Sequence, residues 1–413
     1  MSRIDELIQE LCPDGVQFVA LESIARTVPG LSGKTKADFS DGNARYVTYK
    51  SAFSNLTVDD AAPDFVKVGE GERQNSLHLG DVVITGSSEN IDEVGMSSVV
   101  VREPVEPLYL NSFCFALRFH HQTLIPEFCK YLFRGENVRN QIRKSASGVT
   151  RINISKPRFM KVRIPVPPLE VQREIVRVLD TFTALEAELE AELEARRVQY
   201  AHYRQLMLDE VEAARKPLSD LGKWFGGMTP SKSNSLYWEG GTIPWLASMD
   251  VSDTTSEEIR GRITEAALQE TSLSIVPSPS VAVVMRSNIL RRRLPIGLIN
   301  VDTTVNQDMR ALVPKDGINA DYVYQALRAD SERIRLSCVR TDGSMAAVDS
   351  KLFFSWEIPL PSLKEQESVA NALRKFETLV NDLSIGLPAE LVARRKQYEH
   401  YRDRLLTFKE LSA

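Results

Sequence analysis

The stretch Lys144–Arg163 carries six basic side chains and no acidic one, and a second basic run, Arg291-Arg292-Arg293, follows Arg286 closely. Side chains of this type contact nucleic-acid phosphates. Acidic residues concentrate instead in Glu186–Glu194. A basic patch can hold phosphate while an acidic stalk faces elsewhere, although either cluster alone also reads as a solvated surface. The formal net charge of −5 is not the global footprint of a nucleic-acid binder. Catalytic patterns are missing. Ser32-Gly33-Lys34-Thr35 resembles the tail of a phosphate loop, but position 28 is valine where that loop needs glycine. Pro63-Asp64…Lys67 lacks the acid-x-lysine partner of a nuclease, and no glycine-rich strand–turn–helix fingerprint marks a nucleotide or methyl-donor site. Cys12, Cys114, Cys129 and Cys338 form no CxxC pair. His202 and His400 have no Cys or carboxylate companions at metal spacing, so they read as helix-face residues rather than ligands.

Elements that could position such loops emerge from an internal repeat, Arg163–Leu208 and Glu357–Leu406. Ile164-Pro165-Val166-Pro167 matches Ile358-Pro359-Leu360-Pro361, Gln172 matches Gln366, and Phe182 matches Phe376. Ala195-Arg196-Arg197 matches Ala393-Arg394-Arg395, and Tyr200, His202, Tyr203 and Arg204 match Tyr398, His400, Tyr401 and Arg402. The second copy holds four extra residues near Ser384–Pro388, about one helical turn. Ile175, Val178, Phe182, Leu185 and Leu189 recur at coiled-coil spacing, as do Val369, Ala372, Phe376, Leu379 and Leu383. A four-residue Leu-Glu-Ala-Glu period runs inside the first copy. Gly386 and Pro388 predict a break or kink in the second. A continuous helix from Leu169 to Glu210 would span roughly 60 Å.

Between the helical stretches lie two mixed regions, Val19–Arg163 and Pro217–Trp356. The first has short β-rich runs at Ala44–Tyr49, Asp81–Ile84 and Ser97–Val101, and helical spacing over Pro126–Val138. The second aligns with it loosely: Val82–Ser87 with Ala282–Ser287, Gly148 with Gly343, Phe159 with Phe354. One fold with unlike surface loops is the expectation. Met1–Leu11, a short amphipathic helix, is expected to supply the missing end of the second helical region and close the pattern in a circle. No apolar run approaches the ~20 residues of a membrane span, so a soluble chain in a reducing cytoplasm is expected.

The motif Ile-Pro-Val-Pro-Pro-Leu-x-x-Gln, with a coil ending Ala-Arg-Arg-x-Gln-Tyr-x-x-Tyr-Arg, occurs twice and resembles the specificity subunit of type I restriction-modification systems. So do the opening Ser2–Val16 and Thr229-Pro230-Ser231…Tyr237-Trp238…Ile243-Pro244-Trp245. The resemblance covers essentially the whole chain. It implies an α+β protein: two mixed α/β target recognition domains with an internal repeat, joined by two long antiparallel coiled-coil helices with circular pseudo-two-fold symmetry. The implied divisions are an N-terminal helix (1–15), recognition domain 1 (16–165), a central helix (166–213), recognition domain 2 (214–359) and a C-terminal helix (360–413). By the same resemblance the chain is non-catalytic and reads a bipartite double-stranded DNA site. Two modification (methyltransferase) subunits and two restriction (motor-nuclease) subunits would dock on it. S-adenosylmethionine, ATP and magnesium belong to those partners, with no cofactor in this chain. A standalone DNA-binding regulator and an unrecognised DNA-acting enzyme are the alternatives.

Base reading needs Arg, Lys, Asn, Gln, Ser or Thr on loops that reach a groove. In the first domain the candidates are Lys34, Lys36, Tyr49, Lys50, Ser87, Ser88, Asn90, Lys144, Ser147, Thr150 and Arg151. In the second they are Ser231, Lys232, Ser248, Arg286, Ser287, Asn288, Arg291, Arg292, Arg340, Thr341 and Ser344. Gly148 and Gly343 read as turn formers, Trp245 and Trp356 as core. Docking of partners is assigned to outer helix faces: Gln172, Arg196, Arg197, Tyr200 and Tyr203, with Gln366, Arg394, Arg395, Tyr398 and Tyr401. Packing between the helices must claim some of these tyrosines.

Overall fold

The computed structural model describes residues 3–61, 63–251, 259–381 and 386–411. The chain divides into two compact units, Met1–Leu189 with Leu391–Ala413, and Glu190–Glu390.

In the first unit an antiparallel sheet orders its strands Ala25–Pro29, Cys114–Phe119, Val82–Thr85, Ser97–Val99. The strand Val82–Thr85 is buried along its whole length because both faces of the sheet are covered. Side chains alternate between the two faces. Val82, Ile84, Phe115 and Leu117 enter one core with Phe128, Leu132 and Ile175. Val83, Cys114 and Ala116 enter the other, with Val47, Leu108 and Leu110. A smaller sheet, Phe65–Val66, Ala44–Val47 and Tyr109–Leu110, includes a parallel pair, Tyr46 with Tyr109. Gln17–Ala20 pairs antiparallel with Arg163–Val166 and ties the start of the domain to its exit.

The second unit repeats these orders. Gly222–Gly226, Met309–Pro314, Ser280–Val284 and Ile296–Ile299 form its main sheet, and Arg262–Ile263, Ile243–Leu246 and Thr304–Val305 the smaller one, again with a parallel pair, Trp245 with Thr304. Val281, Val283 and Leu312 face one core, and Ala282, Val284 and Ala311 the other. Arg215–Pro217 pairs with Glu357–Pro359. The shared frame expected from the loose alignment is therefore present strand by strand.

The first helical copy is one 41-residue helix, Leu169–Asp209, about 60 Å long. Its residues up to Leu189 pack in the first unit, where Val171, Ile175, Val176 and Leu179 are buried with Ile4 and Leu406. There Tyr401 stacks on Phe182 at 5.4 Å and Arg395 donates to Glu186 at 2.6 Å. These contacts run in opposite directions along the helices Leu169–Asp209 and Gly386–Leu405. The helix Arg3–Leu11 joins this unit, and the backbone N–H of Val16 donates to the Lys409 carbonyl at 2.8 Å. From Glu190 onward the long helix belongs to the second unit, where Tyr200 and Leu208 are buried with Ala370, Leu373 and Val380.

Several expectations are corrected. The buried stripe is not the anticipated heptad seam: Leu185, Phe376 and Leu379 are 42%, 48% and 55% exposed, and Leu383 lies outside the described residues. Burial follows Val171, Ile175, Leu179 and then Leu193, Tyr200, Arg204 and Leu208, a stripe that keeps Ile175 of the expected seam and leaves Leu185 out. The second copy is two helices, Leu363–Asn381 and Gly386–Leu405. Pro388 falls in the first turn of the latter, where its missing N–H costs no helical hydrogen bond. Ser384 and Ile385, in the expected insertion, lie outside the described residues. Pro126–Val138 spans two helices, Pro126–Leu132 and Glu136–Ser145, separated at Gly135.

Gln172 and Gln366 were expected on an outward docking face and are instead 0% and 1% exposed. Each locks its helix to the globular domain. Gln172 accepts from the Ile125 N–H (2.9 Å) and donates to the carbonyls of Thr123 (3.0 Å) and Pro167 (2.8 Å). Gln366 makes the same three bonds to Asn319, Gly317 and Pro361. Beside this shared lock the helix charge differs: Lys130 donates to Asp180 at 2.6 Å in the first unit, whereas Arg374, the repeat equivalent of Asp180, pairs with Asp321 in the second. Truncating Gln172 to Ala strands one backbone N–H and two carbonyls in a buried junction. Urea unfolding should show a loss of about 2–4 kcal/mol, and Gln366→Ala a similar loss. A change below about 0.5 kcal/mol, the size of an ordinary surface substitution, would show that the lock is not structural.

Candidate nucleic-acid interface

In each unit loops bearing several of the predicted residues meet at one turn. The side chain of Asn111 accepts from the Phe113 N–H at 2.9 Å, and that of Asn306 accepts from the Asp308 N–H at 3.2 Å. Asn111 N–H donates to the Val47 carbonyl at 3.0 Å, and Asn306 N–H to the Leu246 carbonyl at 3.1 Å. The Phe113 carbonyl accepts from Gly86, as the Asp308 carbonyl accepts from Met285. Ser87 pairs with Asn153 and Arg286 with Ala347. This register makes Ser87 the equivalent of Arg286, correcting the match with Ser287 read from sequence. The frame is held by backbone and asparagine; the side chains on it differ.

On the first unit the turn opens into a 690 Å³ concavity lined by Tyr49, Phe53, Ser87, Ser88, Glu89, Glu93, Phe113, Thr150 and Arg151. Five predicted residues meet here: Tyr49, Ser87, Ser88, Thr150 and Arg151. Tyr49 donates to the Ser87 carbonyl at 2.7 Å and stacks on Phe53; burial raises its pKa above the usual tyrosine value. The guanidinium of Arg151 lies 5.0 Å from the Phe113 ring centroid and donates to Ser87 Oγ at 3.1 Å. Gly148, at φ 134°, makes the turn leading into Thr150 and Arg151; a Cβ there would meet the Arg151 carbonyl oxygen at 2.1 Å. Buried Arg139 donates to the carbonyls of Asp92, Val94 and Gly95 and holds the loop bearing Glu93. Burial pushes its pKa down to about 10, so it stays charged at neutral pH. Phe53, Phe113, Glu89 and Glu93 were missed from sequence. Phe113 is 54% exposed, a signal invisible without the fold.

The remaining candidates lie outside this concavity's lining. Lys34 is corrected: its ammonium is bonded to the Lys67 carbonyl and to Glu72, both at 2.6 Å, and its side chain is only 7% exposed. That bond, with others from Gln74 and Gly69, lowers the Glu72 pKa to about 2. Lys36, Lys50, Asn90, Lys144 and Ser147 are exposed.

On the second unit Arg286 Nε donates to Asp308 Oδ1 at 3.0 Å. Ser248 approaches the same turn, its hydroxyl 3.5 Å from Asn306 Nδ2, and Thr229 donates to Gln307 at 2.6 Å. Thr229, Gln307 and Asp308 were missed. Ser287 caps the short helix Asn288–Arg291, accepting from the Ile289 N–H at 3.4 Å, with Asn288 exposed. Arg291 is corrected from reader to clamp: its terminal nitrogens donate to the carbonyls of Thr341 and Gly343, both at 2.9 Å. Thr341 and Ser344 are exposed on the loop it holds, and Arg340 pairs with Asp349. Gly343 has an ordinary negative-φ backbone, unlike Gly148. Ser231, Lys232 and Arg292 are exposed.

Among the partner-face candidates, Tyr200 is buried and donates to Gln325 at 3.2 Å, and Tyr398 packs edge-on against Tyr131. With Tyr401 on Phe182, three of the four tyrosines serve packing. Arg196 and Arg197 are exposed, paired with Glu192 and Glu194 of their own helix. Tyr203 is 46% exposed and Arg394 half-buried. Burial raises the thiol pKa of Cys114 to about 12, which removes thiolate chemistry at neutral pH. Among the described residues no group of three or more His, Cys, Asp or Glu could hold a metal ion, and no helix is long and apolar enough to cross a membrane.

Arg291→Ala should free the 341–344 loop while leaving the sheet intact. Hydrogen–deuterium exchange should rise at least about tenfold at Thr341–Ser344, equivalent to about 1.4 kcal/mol of lost protection. Unchanged exchange there would show that the clamp does not restrain the loop.

Comparison with known proteins agrees with this duplicated architecture. The family model for the type I restriction modification DNA specificity domain matches twice, over residues 13–195 and 210–393. The EcoR124I/EcoR124II specificity subunit of Escherichia coli is 44% identical over 255 residues, 60% of this chain and 63% of that relative. The MjaIX specificity subunit of Methanocaldococcus jannaschii is 32% identical over 173 residues, 40% of this chain and 38% of that protein. The matched stretches thus span less than two thirds of either relative. A chain from a solved type I R-M system aligns over 96% of this chain and 98% of its own length, with a TM-score of 0.64 at 17% identity, a likeness of fold. The two family matches cover both units and most of the helical repeat, and this chain belongs to the type I restriction-modification specificity subunits.

Proposed function

We propose that this chain reads a bipartite, non-palindromic double-stranded DNA site, one unit per half-site, for a type I restriction-modification complex. The carrying observation is the shared turn with unlike tips: Phe113 beside Arg151 in one unit, Asp308 beside Arg286 in the other. Two identical readers would favour a palindrome; two different readers on one frame favour unlike half-sites. The exposed loop residues beside each turn, including Lys50, Asn90, Lys144, Thr150, Asn288, Arg292, Thr341 and Ser344, supply further base and phosphate contacts.

The helices are proposed to serve as spacer and dock. Support comes from the 41-residue helix, which contributes to the core of both units. Two modification subunits would dock on exposed helix positions such as Arg196, Arg197 and Tyr203, and two restriction subunits would complete the complex. S-adenosylmethionine, ATP and magnesium are assigned to those partners. Because the chain carries net negative charge, much of the phosphate attraction is assigned to partners too, so binding is weak alone and tight in the complex.

Two experiments test this. Incubating the pure chain with DNA and labelled methyl donor, or with magnesium, should give no turnover; any turnover overturns the non-catalytic reading. In cells expressing the chain with its modification subunit, methylome sequencing should give a two-part motif with unlike halves. Removing one Leu-Glu-Ala-Glu unit, Leu189–Glu192, shortens the helix by about one turn, worth one to two base pairs. The unread gap should shorten by about one base pair with both halves preserved. An unchanged gap defeats the spacer role.

A further inference from the structure

We infer that Arg286, held by Asp308, is the residue that reads a guanine in the half-site of the second unit, and that Asp308 is its positioning residue. This deepens the DNA-reading proposal above and rests on it.

Arg286 leaves the end of the central strand Ser280–Val284 after Met285, and its side chain is 56% exposed. Asp308 is 17% exposed and fixed by its own backbone bond to Asn306. The ion pair uses Arg286 Nε. Among the described residues, its two terminal nitrogens have no hydrogen-bond partner, and more than half of the side chain is exposed. Asp308 Oδ2 accepts from Gln307 at 3.2 Å, which orients the carboxylate from its other side. A guanidinium gripped at Nε and open at both terminal nitrogens is a fork with its entropy already reduced. In the major groove the O6 and N7 atoms of guanine offer the two adjacent acceptors that such a fork matches. Adenine presents a donor beside its N7 and cannot satisfy both prongs.

Neighbouring arginines do not have this arrangement. Arg291 spends its terminal nitrogens on Thr341 and Gly343, and Arg340 is paired with Asp349. The other unit supplies an internal contrast. At the frame position of Arg286 stands Ser87, and at that of Asp308 stands Phe113. A guanidinium still reaches that spot, but it comes from Arg151 and lies over an aromatic ring. Both units therefore place a guanidinium at the same turn from different strands of sequence. A purely structural ion pair would not require an arginine there in both. Among the described residues, only in the second unit is it braced by a carboxylate, so the rigid fork belongs to that half-site.

The test uses the full chain assembled with its modification subunit. Duplexes carrying the methylome-derived motif receive 7-deazaguanine, which lacks the N7 acceptor, at each guanine in turn. With the natural chain, one position in one half-site should weaken binding about tenfold. With Arg286→Gln that position should become insensitive, and its guanine should become degenerate in the methylome while the other half-site stays strict. Asp308→Asn should relax the same position and no other. If Arg286→Gln prevents assembly, the substituted duplexes still report with the natural chain, and Arg286→Met, which has no N–H to donate to guanine, replaces it in the comparison. The inference is overturned if no guanine responds to 7-deaza substitution, or if the responding position keeps its full sensitivity in the Arg286 variant. Binding by the natural complex that shows no sequence preference at all would instead overturn the DNA-reading proposal beneath it.

Discussion

The backbone hydrogen bonds that converge on Asn111 and Asn306 set what each unit can present. An asparagine side chain closes the turn on its own chain, its N–H continues the small sheet, and the following carbonyl receives the end of the central strand. None of these bonds uses the tip side chains. The tip can therefore change from phenylalanine to aspartate, and the neighbouring strand position from serine to arginine, without disturbing the sheet. The side chains at the tip are free to diverge because the frame is held by backbone.

A second constraint works at the other end of each unit. The glutamines of the repeated helical motif satisfy one buried N–H and two carbonyls where the helix enters the globular domain. The lock is the same in both units, while the ion pair beside it differs, Lys130 with Asp180 in one and Arg374 with Asp321 in the other. The lock attaches each domain to its own helix, and the ion pair beside it differs between the units.

The repeat, the two mixed domains and their shared frame were legible in sequence because paired prolines, a glutamine and tyrosines at fixed offsets leave a pattern that one chain displays twice. The burial of Gln172 and Gln366 was not, since a glutamine on a helix looks the same whether it faces solvent or a loop far away in sequence. The heptad seam misled for a related reason: apolar spacing marks a face but not its partner, and Leu185 and Leu379 remain exposed. Five of eleven candidates in the first unit line one cavity, found because hydroxyl and basic residues cluster after strands. Phe113 and Asp308 were missed because a turn tip is identified by its hydrogen bonds rather than by residue type. Lys34 and Arg291 were misread because a cation committed to carbonyls looks in sequence like an available one.

In both units a guanidinium stands at the same turn of the shared frame, supplied by Arg151 in one and Arg286 in the other, and the proposed reading puts that turn against the bases. A base-resolved structure of the chain with its modification partner on the cognate duplex tests it most directly. The account predicts that the turns Asn111–Phe113 and Asn306–Asp308 both face base edges, each in its own half-site and each with its guanidinium. Finding both turns directed to solvent, with bases contacted from elsewhere on the units, would contradict it.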